Sequence, residues 1–419
     1  MIYRFDHTPQ LRDVTLDVWA KGGRLHYRVL GQASPRLRTS LLTYFAWHNL
    51  LHPLRVRGDS YIFSLYLPPI PSPAHNHQLE NFLRNRLFDY RTPMAATLAV
   101  TDACQLSCEH CSAAMRPKGR PQLDTEAWKR VIGECAGLGS SVITFTGGEP
   151  LLRRDLEELV AAVPSDRAVA EFFCNGLEAS HERLAGLREA GAYGIHISLD
   201  DPDEAEHDRG RGRAGVYRAV EQAARTARAA GLLVGLSTYA TNDSVDAHKL
   251  TRVAALAEEW GVSEVSVFDG IRTGRMLRGC EPLLDAAHKR ALIAEAHNAN
   301  RVHRGRLRVI TQSWTNSRRG FSLLIGCLAG NLQCHVTSQG DLTPCDFTPL
   351  SFGNVQEAPL ADLWWRMLDH PAYQKRALRC RMQSPEFRAR YIDTIPEGAG
   401  LPYPIDGMRA AGPAPAARG

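Results

Sequence analysis

The chain has 419 residues, 44% hydrophobic and 23% charged, a balance that excludes disordered and fibrous classes. No apolar run reaches the ~18–20 residues that span a bilayer, and Met1-Ile2-Tyr3-Arg4-Phe5-Asp6 does not read as an export signal. Ten cysteines in that setting point to reduced thiols and metal sites in the cytoplasm rather than disulfides.

The net charge of +5 is unevenly placed. Residues 1–95 hold twelve Lys/Arg against six Asp/Glu, and the remainder of the chain is near balance with 38 and 39. Such an excess is either a solvated positive face or an attraction for an anionic substrate or lipid surface. The stretch Leu41-Leu42-Thr43-Tyr44-Phe45-Ala46-Trp47-His48-Asn49-Leu50-Leu51 precedes Arg55 and Arg57. It reads as a helix packed against the rest of the chain, with an interfacial helix making peripheral membrane contact as the alternative. Residues 61–73, with Pro68, Pro69, Pro71 and Pro73, read as an extended linker.

Strand-like stretches near 96–101, 141–146, 169–174, 194–199, 232–239 and 263–268 alternate with helix-like ones near 125–138, 153–162, 179–191, 215–230 and 246–260. Repeated β–α alternation predicts an α/β fold, a parallel sheet with helices outside it. The first strand runs into Cys104-Gln105-Leu106-Ser107-Cys108-Glu109-His110-Cys111. Three thiolates on one loop can hold three corners of an iron–sulfur cluster and leave the fourth without a local ligand. The second strand runs into Gly147-Gly148-Glu149-Pro150, whose glycines permit close backbone approach. Both loops follow strands, at the end of a barrel where active sites are built.

The C-x3-C-x2-C spacing and the G-G-E-P segment resemble the radical S-adenosylmethionine (SAM) superfamily. Phe172-Phe173-Cys174-Asn175-Gly176, His196-Ile197-Ser198-Leu199-Asp200 and His207-Asp208-Arg209-Gly210-Arg211-Gly212 resemble later segments of the same family, in the same order. The resemblance implies a partial (β/α)6 barrel with a [4Fe–4S] cluster on Cys104, Cys108 and Cys111. It implies that SAM lies near Gly147, Gly148, Glu149, Asn175, Ser198, Asp200 and Arg211, with Glu149 facing the methionine amino group and Arg211 the carboxylate. Reductive cleavage of SAM to a 5′-deoxyadenosyl radical would follow, with the electron from a flavodoxin- or ferredoxin-like donor.

Downstream, Cys327 to Cys345 reads as two strands around a turn at Gln339-Gly340-Asp341. It resembles the start of the SPASM and twitch domains, which hold auxiliary clusters, and Phe352-Gly353-Asn354-Val355 fits that pattern. The later cysteine run of a full SPASM domain is absent, so the resemblance implies one auxiliary cluster on Cys327, Cys345 and Cys380, with Cys334 as the candidate fourth ligand; the alternative is a degenerate domain without metal. The expected division is an N-terminal extension over 1–94, a radical SAM core over 95–310, a small α+β cluster-binding domain over 311–385, and a partly disordered tail over 386–419 that includes the Ala/Pro run at 410–417. Cys135 and Cys174 read as packing thiols, His110 as a spacer, and Cys280 as a candidate hydrogen-atom donor.

These features lead to a radical SAM enzyme acting on a small molecule by dehydrogenation, epimerisation or rearrangement. The same chemistry on a ribosomal peptide or a lipid is the alternative. A zinc-binding scaffold is a remote one, since zinc prefers four ligands and leaves the G-G-E-P segment without purpose. No nucleic-acid partner, cobalamin region or catalytic base is evident.

Overall fold

The computed structural model describes residues 1–114, 119–279, 283–315 and 326–407. Cys280 and the Ala/Pro run at 410–417 lie outside the described residues.

In the N-terminal part, β1 (Ile2–Arg4), β2 (Thr15–Lys21) and β3 (Arg24–Leu30) form an antiparallel sheet in that order. Helix α1 (Pro35–His48), the hairpin β4 (Arg55–Arg57)–β5 (Ser60–Ile62) and α2 (Pro73–Phe88) follow. Leu37, Leu41, Tyr44 and Phe45 of α1 close a core with Tyr3, Phe5, Leu16 and Val18, separate from the main one. The apolar stretch at 41–51 therefore builds this unit's own interior rather than packing on the barrel, while Leu42 and Leu50 remain exposed. Among the described residues no helix is long and apolar enough to cross a membrane.

The expected linker at 61–73 is instead a packed connection. Tyr61 and Ile70 exchange backbone hydrogen bonds of 2.7 and 2.8 Å, and Ile62 and Leu65 pack against Tyr193 and Leu233 at the start of two barrel strands.

The barrel begins with β6 (Ala95–Thr101), α3 (Thr125–Leu138), β7 (Val142–Gly147), α4 (Leu156–Ala161), β8 (Val169–Cys174), α5 (His181–Glu189) and β9 (Ala192–Ser198). It continues with α6 (Glu204–Arg211), α7 (Val216–Ala229), β10 (Leu233–Ala240), α8 (Asn242–Asp246), α9 (Lys249–Glu259) and β11 (Glu264–Asp269). All six strands pair in sequence order and in parallel. Helices start where a side chain accepts from an otherwise unpaired backbone N–H. Asp124 accepts from Ala127 at 2.8 Å, Ser180 from Arg183 at 3.1 Å, and Asp203 from Glu206 at 3.1 Å. Helix α7 shows why such segments seal the barrel: Val216, Val220, Ala223, Ala224 and Ala227 recur at three- and four-residue steps and are buried.

After α10 (Ala286–Val302), β12 (Arg308–Thr311) adds a seventh parallel strand beside β11, and α11 (Gln312–Thr315) follows it. At the opposite edge β13 (Gln333–Val336) lies parallel to β6, in the register Gln333↔Ala95 to Val336↔Leu98. Strand β14 (Leu342–Thr343) turns back antiparallel to β13. The sheet order is β12-β11-β10-β9-β8-β7-β6-β13-β14, with no pairing of β12 to β14 among the described residues, so the barrel is open between them.

Helix α12 (Leu360–Asp369) packs against α3. Its Trp364 is fully buried and donates from Nε1 to the Arg91 carbonyl at 3.0 Å. Trp364→Ala is expected to destabilise the protein by about 3–5 kcal/mol. Trp364→Phe, which keeps a ring but loses the donor, is expected to cost about 1–3 kcal/mol. Denaturant unfolding of the two variants beside wild type measures both.

Candidate active site at the barrel mouth

The loop that carries Cys104, Cys108 and Cys111 leaves the end of β6 and is held by β7. Gly148 N donates to the Thr101 carbonyl at 2.7 Å and Glu149 N to the Ala103 carbonyl at 2.7 Å. A Cβ on Gly147 would stand 2.3 Å from the Thr101 oxygen, and one on Gly148 2.3 Å from the Ala103 oxygen. The close approach that requires these glycines is thus to the root of the cysteine loop. The Glu149 side chain is turned inward, 1% exposed, with its carboxylate accepting from Leu151 N at 3.0 Å and Asn175 N at 2.7 Å. It ties β7 to the end of β8, close enough to the cysteine loop for its charge to act on Cys104. Burial pushes its carboxyl up to about 7 against the pull of those two donors. Asn175 also reaches the loop, donating from Nδ2 to Gln105 Oε1 at 3.3 Å.

On the other side, α6 delivers Arg211 against the same loop. Its Nε lies 2.6 Å from Asp200 Oδ2 and its Nη1 3.8 Å from Cys108 Sγ. Burial would lower the Arg211 pKa, but Asp200 and Cys108 outweigh it and hold the guanidinium charged. Burial alone would raise Asp200, yet Arg211 and His110 keep it below the usual carboxylate range. His110 Nε2 is 3.4 Å from Asp200, and its ring lies 4.4 Å from that of Tyr239. Ser198, on the strand leading to Asp200, accepts from Ser237 Oγ at 3.2 Å.

Arg275 completes the cradle: its N–H donates to the Cys111 carbonyl at 3.1 Å and its Nη1 to the Cys108 carbonyl at 2.8 Å. The sequence carries no motif signal for it. Cys174 is buried at the end of β8, within the main core.

A second group of cysteines lies beside the β13–β14 hairpin. Cys327 and Cys380 share a hydrogen bond that draws the Cys327 thiol down in pKa and Cys380 up. Cys345 feels the charge of Cys327, stands 3.3 Å from Thr348 Oγ1, and is pushed by burial up to about 12. Cys334 stands apart. Alternation along β13 turns Gln333 and His335 toward Asp346, at 3.2 and 2.6 Å. It turns Cys334 to the other face, where it hydrogen-bonds Cys135 of α3. The candidate fourth ligand is therefore separated from the other three by the sheet itself.

Comparison with known families places these two groups. The radical SAM superfamily matches residues 98–245, and the iron–sulfur cluster-binding SPASM domain matches residues 327–390. The chain is a radical SAM enzyme. Its relatives include the AdoMet-dependent heme synthase of Nitratidesulfovibrio vulgaris, 27% identical over 63% of this chain and 77% of that one. They also include the PqqA peptide cyclase of Gluconobacter oxydans, 29% identical over 65% and 76%. Streptococcus suis SuiB bound to its precursor peptide SuiA shares the fold, with a TM-score of 0.56 at 14% identity over 86% of this chain and 88% of that one.

The radical SAM domain implies a [4Fe–4S] cluster and SAM, and the SPASM domain an auxiliary iron–sulfur cluster. The donors suit both. Burial raises the Cys104 and Cys108 thiols, and the charges of their neighbouring cysteines add to that, while Arg211 pulls Cys108 the other way. Three cysteines on one loop beside a buried guanidinium are the donor set that three corners of a cluster take, and bound iron would hold them as thiolates. Cys327, Cys345 and Cys380 interact in the same way at the second position.

A cavity of about 1280 Å³ runs through the opening of this radical SAM barrel. Thr97, Thr144, Phe173 and Phe268 line it from the barrel, and Cys327, Cys345 and Cys380 line it from the second group. The connection at 61–73 supplies Tyr66, whose ring stacks at 4.8 Å on His196 of β9, as does Phe173 at 4.5 Å. His196 in turn binds Glu171 at 3.1 Å, and Glu171 accepts from Thr144 at 2.7 Å. Sequence reasoning passed over His196, although two-residue alternation puts it on one face with Ser198 and Asp200.

The raised carboxyl of Glu149 makes a stability prediction for the cluster-free protein. Its folded form holds a proton up to about pH 7 while the unfolded chain loses it near 4.5, so stability falls as pH rises between those values. The expected loss is of order 3 kcal/mol, and Glu149→Gln should flatten that part of the profile. Unfolding midpoints measured from pH 4.5 to 8 check this.

Proposed function

We propose that the chain abstracts a hydrogen atom from a bulky small molecule held in this cavity, leading to dehydrogenation, epimerisation or rearrangement. The observation that carries the reading is the cavity itself, a space open to solvent at one end and walled by the barrel interior on one side and by the three SPASM-region cysteines on another; Cys104, Cys108 and Cys111 stand outside its lining. In this reading Cys104, Cys108 and Cys111 hold the first cluster, and Cys327, Cys345 and Cys380 hold the auxiliary one. SAM rests against Gly147, Gly148, Glu149, Asn175, Ser198, Asp200 and Arg211, with Glu149 accepting from its amino group and Arg211 facing its carboxylate. The chain is divided as residues 1–94, 95–310, 311–385 and 386–419. When bound, the first cluster and SAM supply the hydrogen-abstracting radical, fed by a flavodoxin- or ferredoxin-like donor.

The protein's own contribution is position and electrostatics. Arg211, fixed by Asp200, sets a positive charge beside Cys108 and neutralises part of the thiolate charge there. Phe173, Phe268 and Phe347 line the cavity with apolar surface, against which the apolar part of a substrate would pack. A ribosomal peptide is the second reading, supported by the relative that is a PqqA peptide cyclase.

Anaerobic reconstitution should load about eight irons per chain in wild type and about four in a Cys104/Cys108/Cys111→Ala variant. The Cys327/Cys345/Cys380→Ala variant should also hold about four, and Cys334→Ala should match wild type; iron and sulfide assays decide. With SAM and dithionite, wild type should release 5′-deoxyadenosine and methionine and the Cys104/Cys108/Cys111→Ala variant neither. Stimulation of that release by a protease-resistant small-molecule fraction of a cell extract supports the first reading. Stimulation only by a protease-sensitive fraction overturns it in favour of the second.

A further inference from the structure

The cavity's charges do not match its walls. Six arginines line it: Arg86, Arg301, Arg304, Arg308, Arg376 and Arg381. Only two carboxylates do, among the described residues, and both are engaged. Asp89 pairs with Arg376 at 2.6 Å, and Asp346 with His335 at 2.6 Å. Arg308 is spent on the fold, donating to the Phe63 and His52 carbonyls, and Arg381 lies over the Tyr373 ring at 4.6 Å.

Arg86, Arg301 and Arg304 differ from these. All three are exposed to solvent as well as lining the cavity, which puts them at its mouth. Arg301 donates to Asn298 Oδ1 at 2.7 Å and Arg304 to His52 Nε2 at 2.6 Å, and neither partner is a carboxylate. Arg86 and Arg301 lie in the last turns of α2 and α10, where a helix dipole favours a cation. That preference does not account for Arg304, which follows α10. Leu50 and Phe88, exposed large apolar side chains, share the mouth with them. Behind it the lining turns apolar, with Leu51, Leu54, Phe82, Leu87 and Ile293.

From this juxtaposition we propose that the mouth reads anionic groups on an amphipathic substrate. The ligand class is a small-molecule acid with a bulky apolar body and carboxylate or phosphate groups at one end. Its apolar body enters the chamber toward the barrel and the SPASM-region cysteines, and its anionic end stays with Arg86, Arg301 and Arg304. Guanidinium groups suit this task because they stay charged and bind carboxylate and phosphate through paired N–H donors. A low-dielectric wall beside them strengthens each contact over its value in open water. The inference rests on the reading of the cavity as the substrate chamber.

The test uses matched fluorescent probes on the full reconstituted chain: 1-pyrenebutyrate, 1-pyrenebutyl phosphate, 1-pyrenebutanol and 1-pyrenebutylamine. Both anionic probes should bind at least about tenfold more tightly than the alcohol, with the amine weakest, and the anionic advantage should shrink with added salt. In Arg86→Gln/Arg301→Gln/Arg304→Gln the anions should fall to within about threefold of the alcohol, while the alcohol binds as before. The corresponding triple Lys variant, which keeps the charge, should restore part of the preference, and an unchanged melting temperature shows that the fold is intact. The ratio of the two anions says which head group the mouth prefers. Equal binding of all four probes leaves the chamber reading standing and overturns the inference. Binding by none of them overturns both. An anionic preference that survives in the Gln variant places the recognition elsewhere and overturns the assignment. Loss of binding to phosphatidylserine vesicles in that variant, with no preference among the pyrene probes, assigns the arginines to a membrane surface and overturns it as well.

Discussion

The parallel pairing of β6 with β13 governs the geometry of everything chemical in this protein. Strand β6 ends in the loop with Cys104, Cys108 and Cys111, and β13 opens the hairpin that leads to Cys345. Their register sets one group of cysteines relative to the other through a ladder of backbone hydrogen bonds. Because β13 belongs to the barrel's own sheet, the SPASM region is not a tethered module that swings against the core. Trp364 adds to this from the helix layer, where α12 packs on α3.

The barrel was legible because its signals are local. Short apolar runs mark the strands, two of them ending at Gly147 and Cys174, and α3, α5 and α6 begin at Asp124, Ser180 and Asp203 caps, so all six strands and the main helices fall close to where periodicity places them. The candidate site was legible for a related reason: its residues lie directly after strand ends, and a parallel barrel gathers all such ends at one mouth. What the sequence left obscure is non-local. The inward turn of Glu149 depends on Asn175 N, a group 26 residues away. Arg275 reaches the cysteine loop from beyond β11, across more than 160 residues of chain. Cys334 was within reach of simple alternation, since it and Val336 share the face of β13 opposite to Gln333 and His335, but the thiol count drew attention from the pleat. The N-terminal part misled because an apolar, aromatic helix looks the same whether it packs on a barrel or closes a small core of its own.

Parallel barrels usually fill their interiors with branched apolar side chains. This one places Thr97, Thr144, Glu171, His196 and Glu264 on or near its inner layers, all of them buried. Glu264 is raised by burial against the pull of His196 and Arg308. Such a network is stable only while its members remain paired, and part of the pairing comes from outside the barrel. Leu65 N donates to Glu264 at 3.4 Å, and Arg308 reaches back to the Phe63 carbonyl.

That dependence has a consequence for how the protein can be cut and recombined. Residues 63–66 are neither a leash nor an ornament: they bring a backbone donor and an aromatic ring to the interior of a barrel encoded far downstream. A barrel expressed without them would expose His196 on one ring face and leave Glu264 short of a partner. A chimera that borrowed the first ninety or so residues from a relative would import a different wall for the chamber along with them. The walls of this cavity are thus split between two stretches of sequence that must be exchanged together or not at all.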